Sequence, residues 1–146
     1  MRAEAHVFLP ASQTEVWGSL IAWESQPGWM VDAERVGILT PEHEGTGVRV
    51  AVRTRVLGLP LFTEVLEVVD WDAPRRLVMA HRGFVRGTGE WALESVAGVT
   101  NLRWTEELSL PIPVLGELLL ALYRPVLTRL MRRSLENLRR GFLRKG

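Results

Sequence analysis

The chain has 146 residues, the usual size of one domain, which leaves no room for separate cofactor and substrate domains. Eighteen basic side chains against seventeen acidic ones give a net charge of +1, and with 47% apolar and 24% charged residues both general disorder and a broad nucleic-acid-binding surface are excluded. There is no cysteine, so disulfide frameworks, thiolate zinc sites, iron–sulfur clusters and cysteine nucleophiles are ruled out together, and a cytoplasmic address is expected.

The first six residues reach Glu4 and His6 before any apolar run, so no signal peptide is expected. Residues 3 to 9 alternate as a strand, with Ala3, Ala5, Val7 and Leu9 on one face and Glu4, His6 and Phe8 on the other, and Pro10 ends it. Ser12 followed by Glu15 reads as a capping box, because the hydroxyl and the carboxylate satisfy free amides at a helix start. A helix over about 12 to 22 follows, carrying Val16, Trp17, Leu20 and Ile21 on one face, and a second short turn closes at Pro27-Gly28 before Trp29 and Met30. From 33 to 110 the pattern is strand after strand: 33 to 40, 47 to 57, 61 to 71, 75 to 83, 87 to 95 and 100 to 110. Turns are expected at Glu44 to Gly47, Leu57 to Pro60, Asp72 to Pro74 and Ala97-Gly98. Such short connections demand antiparallel neighbours, since parallel ones need crossovers of about a dozen residues.

The mostly apolar stretch Leu108 to Tyr123 contains two prolines and Glu117 and falls short of the roughly 20 residues a membrane span needs. It leads into a long helix over about 114 to 143. Its expected apolar stripe is Leu115, Leu118, Leu119, Leu122, Tyr123, Val126, Leu130, Met131, Leu135, Leu138 and Phe142, with a kink at Pro125. Its other face is basic, with Arg124, Arg129, Arg132, Arg133, Arg139, Arg140, Arg144 and Lys145 against Glu136. That face reads as solvated helix surface, or as a surface for transient contact with anionic lipid headgroups or with an acidic partner. Lys145 is the only lysine and amide side chains are few, the bias of a thermophile or of a base composition that favours arginine.

The charged parity of each strand marks its outer face. In 100 to 110 this points Leu102, Trp104, Glu106, Leu108 and Leu110 inward, so Glu106 is a carboxylate on an apolar face. In 75 to 83 Leu77, Met79 and His81 face in; in 87 to 95 Trp91 and Leu93 do, while Gly87 and Gly89 permit sharp coiling. In 47 to 57 the inner set is Val48, Val50, Val52, Thr54 and Val56. For 61 to 71 both parities mix apolar residues with a glutamate, Glu64 or Glu67, and the inward face stays open. A buried Glu106 requires a partner, for which an inward arginine or water at a cavity rim is expected, and His81 is expected to bond a backbone carbonyl or to meet a ligand. Two indoles on one inner face, Trp91 and Trp104, suit the core or the wall of a cavity.

Leu9-Pro10-Ala11 through Glu15-Val16-Trp17 and on to Trp29, then six strands, then Leu108 to Pro113 leading into the amphipathic helix, resembles the START-like, or SRPBCC, superfamily over essentially the whole chain. The resemblance implies an α+β helix-grip fold, a seven-stranded antiparallel sheet wrapped around a long C-terminal helix with two short helices after strand 1. It also implies an apolar cavity between sheet and helix, and supplies no universal catalytic residues. Three histidines, at 6, 43 and 81, and the absence of GxSxG, P-loop, HExxH and GxGxxG patterns point to no metal and no cofactor. Three functions follow. The first is binding of a lipid, isoprenoid or polyketide-like aromatic by Met79, His81, Trp91, Trp104, Glu106, Leu119 and Tyr123. The second is a cyclase or dehydrase in which Glu106, His81 or Tyr123 handles a proton, and the third is a groove for a partner protein.

Overall fold

The structure, a computed structural model, describes residues 1–56 and 59–145, apart from the side chains of Val56, Pro60 and Leu61. The turn expected at Leu57 to Pro60 and the inward placing of Val56 therefore fall outside the described residues. The strands are β1 (Arg2–Leu9), β2 (Ala33–Ile38), β3 (Arg49–Val56), β4 (Leu59–Asp72), β5 (Arg76–Arg82), β6 (Arg86–Val96) and β7 (Val99–Ser109). They form one antiparallel sheet in the order β1-β7-β6-β5-β4-β3-β2. Consecutive strands pair as hairpins from β2 to β7, and only β1 is brought in from a distance, to the edge beside β7. The expected strand ends differ by at most two residues, which is the scale on which fraying and turn geometry decide a boundary.

Between β1 and β2 lie α1 (Gln13–Leu20) and a 3₁₀ helix (Trp23–Gly28). Ser12 caps α1 by accepting from the Glu15 amide at 3.2 Å, and its hydroxyl donates to the Glu15 carboxylate at 3.1 Å. That reciprocity departs from the usual capping box, in which the glutamate reaches the cap's own amide. Val16, Trp17 and Leu20 are buried as their spacing requires.

The long helix α2 (Leu115–Lys145) runs as one element across Pro125 and lies in the concave face of the sheet. From Met131 onward its buried face follows the expected stripe, through Leu135, Leu138 and Phe142, while just after Pro125 Leu127 is buried and the expected Val126 only half-buried. Before Pro125 the stripe is rotated. Gly116 and Leu120 face inward, while Leu115, Leu118, Leu119 and Leu122 are exposed, Leu122 to 69%. The local cause is Gly116: a Cβ there would stand 3.0 Å from the Leu110 Cβ, so this turn is pressed against the incoming loop on its glycine side. Leu115, Leu118, Leu119 and Leu122 share one helix face, the face that hydrophobic spacing selects, and it is this face that the structure leaves exposed.

Candidate functional site

The inner face of the sheet is apolar except in one region. Leu102, Trp104 and Leu108 of β7, Leu77 and Met79 of β5, Trp91 and Leu93 of β6 and Val50 and Val52 of β3 are all buried. On β4 the open question is resolved by a bulge. Val68 pairs with Met79 and Asp70 with Val78, so residue 69 is an extra residue and the facing reverses across it. Glu64, Leu66 and Val68 therefore face inward before the bulge, and Trp71 after it, where it meets Trp17 edge-on at 5.1 Å. Glu67 is on the outer face, paired with Arg49 at 2.8 Å.

Strands β4, β5 and β7, the last separated from β5 by β6, thus bring Glu64, His81 and Glu106 together across the concave face. The His81 ring lies between the two carboxylates, Nδ1 3.2 Å from Glu64 Oε2 and Nε2 3.0 Å from Glu106 Oε2. Trp104 Nε1 donates to the other Glu106 oxygen at 3.0 Å. The partner of Glu106 is therefore an imidazole and an indole in place of the expected arginine or water, and His81 bonds carboxylates in place of a backbone carbonyl. Room for the Glu106 carboxylate comes from its cross-strand neighbour Gly89, where a Cβ would lie 2.8 Å from Oε1. Burial by itself would depress the imidazole pKa, but the hydrogen bonds and charges of Glu106 and Glu64 outweigh it and push His81 up to about 10. At neutral pH the ring is a cation shared by two anions.

This cluster lines one wall of a partly enclosed cavity of about 110 Å³ between sheet and α2. The apolar lining includes Val52, Leu66, Leu77, Met79, Trp91 and Leu127. Of the residues expected here, Met79, His81, Trp91, Trp104, Glu106 and Tyr123 line the cavity. Leu119 does not: it is 45% exposed on the rotated turn of α2, and Leu127 supplies the helix's aliphatic contribution. Trp29 packs against both inner indoles, with centroids 6.0 Å from Trp91 and 6.5 Å from Trp104.

Sequence reasoning missed Asp32, Glu64, Trp29 and Leu127. Asp32 precedes β2 in a loop where alternation carries no signal. Its Oδ1 is buried without a hydrogen-bond partner among the described residues, as is the Trp91 Nε1. Burial, reinforced by the charges of Glu106 and Glu64, pushes the Asp32 pKa up to about 6 against a backbone hydrogen bond and Arg55 that lower it. Burial and the same three acidic groups push Tyr123 up to about 12, so its hydroxyl stays neutral and able to donate.

Elsewhere, His6 faces outward and stacks edge-on with Phe8 at 5.7 Å, and the His43 carbonyl accepts from Trp23. On the basic face of α2, Arg139 and Arg140 share Glu136, and Arg124 donates to the Arg2 carbonyl. Among the described residues no helix is long and apolar enough to cross a membrane, and no grouping of three or more acidic, histidine or cysteine side chains is arranged to hold a metal ion.

The sequence matches, over residues 1–142, the family described as polyketide cyclase / dehydrase and lipid transport. Among solved structures, a Thermus thermophilus protein superposes with a TM-score of 0.80 at 21% identity, covering 100% of this chain and 99% of that one. The Zhui aromatase/cyclase of a Streptomyces species gives a TM-score of 0.72 at 21% identity, covering 96% and 94%. A START superfamily protein of Mycobacterium smegmatis gives 0.66 at 14%, covering 94% and 90%. At these identities the likeness establishes the helix-grip fold. No match was found among curated proteins.

Proposed function

The chain belongs to the polyketide cyclase / dehydrase and lipid transport family, and on that premise we propose that it binds a ring-sized, largely apolar molecule in the cavity between sheet and α2. The observation that carries this reading is a partly enclosed space of about 110 Å³ between sheet and α2, apolar over most of its lining and polar along one wall. Protein interiors rarely keep voids larger than a water molecule. A space of this size that is only partly enclosed is one that a small molecule can enter in place of water. Its volume is of the order of the ~150 Å³ apolar cavity that takes up benzene. A lipid acyl chain or a fused polycyclic product requires the several hundred Å³ of a typical ligand pocket, so among the ligands expected from the sequence a single aromatic ring fits best. The absence of cysteine accords with a cytoplasmic setting for such a binder.

Binding of toluene and benzyl alcohol, followed by tryptophan fluorescence and ligand-observed NMR, tests the reading. Roughly 200 Å² of buried apolar ligand surface at ~25 cal/mol per Å² gives a Kd below about 1 mM. Met79→Phe, which fills the space, should abolish binding while the circular dichroism spectrum is retained. No uptake by the wild type, or uptake unaffected by Met79→Phe, refutes it.

A second reading, proton-transfer chemistry of the cyclase or dehydrase type, is favoured by Asp32, whose pKa of about 6 suits exchange of a proton near neutral pH beside the Tyr123 hydroxyl. It makes Asp32, in preference to Glu106, the base. Deuterium exchange at the methyl group of acetophenone, monitored by NMR, should be accelerated by the wild type and lost in Asp32→Asn.

A further inference from the structure

The apolar part of the cavity sets the size of its occupant, and the polar groups set its charge. Three carboxylates line it, Asp32, Glu64 and Glu106, against one cation, His81. The side-chain donors they receive are the two His81 nitrogens and the Trp104 indole N–H, leaving Asp32 Oδ1 buried without a partner among the described residues. The Gln26 amide is committed to the Leu20 carbonyl at 2.9 Å. No arginine or lysine is among the lining residues. A buried carboxylate oxygen without a donor costs several kcal/mol unless it takes up a proton or is met by a cation.

Resting on the binding reading above, we propose that the occupant is a cationic amine on a single ring, its ammonium received by Asp32 and the neighbouring Glu64 carboxylate and its ring held among Leu77, Met79 and Trp91. An ammonium brings three donors to a site with surplus acceptors, and it reduces the net charge of the cavity. A carboxylate ligand of the same size adds a fourth anion to a low-dielectric space and is rejected.

The proposal has a pH signature. Asp32 faces Glu64 of β4, Glu106 of β7 and Arg55 of β3, with His81 of β5 and Tyr123 of α2 lining the same cavity, and its burial raises it to about 6. An amine that stays protonated between pH 5 and 7.5 should therefore bind more tightly as Asp32 ionises.

The test compares benzylamine, benzyl alcohol and benzoate by isothermal titration and ligand-observed NMR at pH 7.5, then repeats benzylamine at pH 5. Benzylamine is expected to bind at least tenfold more tightly than benzyl alcohol, and benzoate at least tenfold more weakly. The benzylamine Kd should rise severalfold at pH 5. Asp32→Asn should lower the preference for amine over alcohol at least fivefold and flatten the pH dependence, whereas Glu34→Gln on exposed β2 should change neither. Benzyl alcohol binding with benzylamine no tighter, or benzoate binding equally well, overturns the charge preference and leaves the cavity reading standing. If none of the three binds, both fall.

Discussion

Replacing His81 by glutamine changes how stability depends on pH, in a way fixed by the geometry of the carboxylate pair. In the folded protein the imidazole pKa is pushed up to about 10, against 6.5 unperturbed. Between these values the folded state holds a proton that the unfolded state releases, so stability is fully present below pH 6.5 and declines as pH rises towards 10. The slope approaches 1.4 kcal/mol per pH unit, which amounts to a loss of about 3 kcal/mol between pH 6.5 and 9. That window lies above the Asp32 value of about 6 and below the Tyr123 value of about 12, so neither contributes much to the change. His81→Gln leaves two buried carboxylates without their shared cation, costing about 3–5 kcal/mol at pH 6.5. The difference between wild type and variant should shrink by about 3 kcal/mol on going to pH 9. Urea unfolding followed by tryptophan fluorescence at four pH values, with the variant subtracted to cancel other groups, measures it. Parallel pH profiles for the two proteins, or an imidazole titrating near 6.5 by NMR, would refute the reasoning.

Trp104→Phe removes the indole donor to Glu106 and should cost about 2–3 kcal/mol in urea unfolding, the worth of a hydrogen bond to a charged group. Gly87 has φ +127° and a Cβ there would stand 1.8 Å from the Glu107 carbonyl oxygen, so Gly87→Ala should lower the melting temperature by about 10 °C or prevent folding. Gly18→Ala places a methyl group in open space on α1 and should raise it by a few degrees, through about 0.5–1 kcal/mol of helix propensity. Ser12→Ala should cost about 1 kcal/mol in the same melts through loss of the α1 cap.

The residues that alternation handles were legible in the sequence and those outside it were not. Glu106, His81, Trp91 and Trp104 could be turned inward from strand parity because their strands carry charge cleanly on the opposite face. Their mutual bonding could not, since it depends on which strands are neighbours and at what register. Glu64 was undecidable for a definite reason: the bulge after Val68 places inward residues on even positions before it and on an odd position after it, so neither parity is uniformly polar. Asp32 lies in a loop without periodicity, and its role emerges only from the carboxylates that the sheet brings near it. Leu119 illustrates the opposite failure. Leu119 belongs to a clear apolar face with Leu115, Leu118 and Leu122, yet the side that packs is the one carrying Gly116, against Leu110, and Leu120.

The extra residue in β4 also bears on how chains of this fold can differ in length. Losing or gaining a residue inside a strand ordinarily turns over every side chain on one side of the change. At position 69 it does not: Val69 is the unpaired residue between Val68 and Asp70, so a chain lacking it would keep Glu64 towards the cavity and Trp71 towards Trp17. What such a chain would give up is the local bend and twist of the strand, and with them some of the curl of the sheet around α2. Side-chain facing and sheet curvature are thus separable at this bulge, and related sequences one residue shorter here would be expected to preserve the same inward residues around a cavity of different depth.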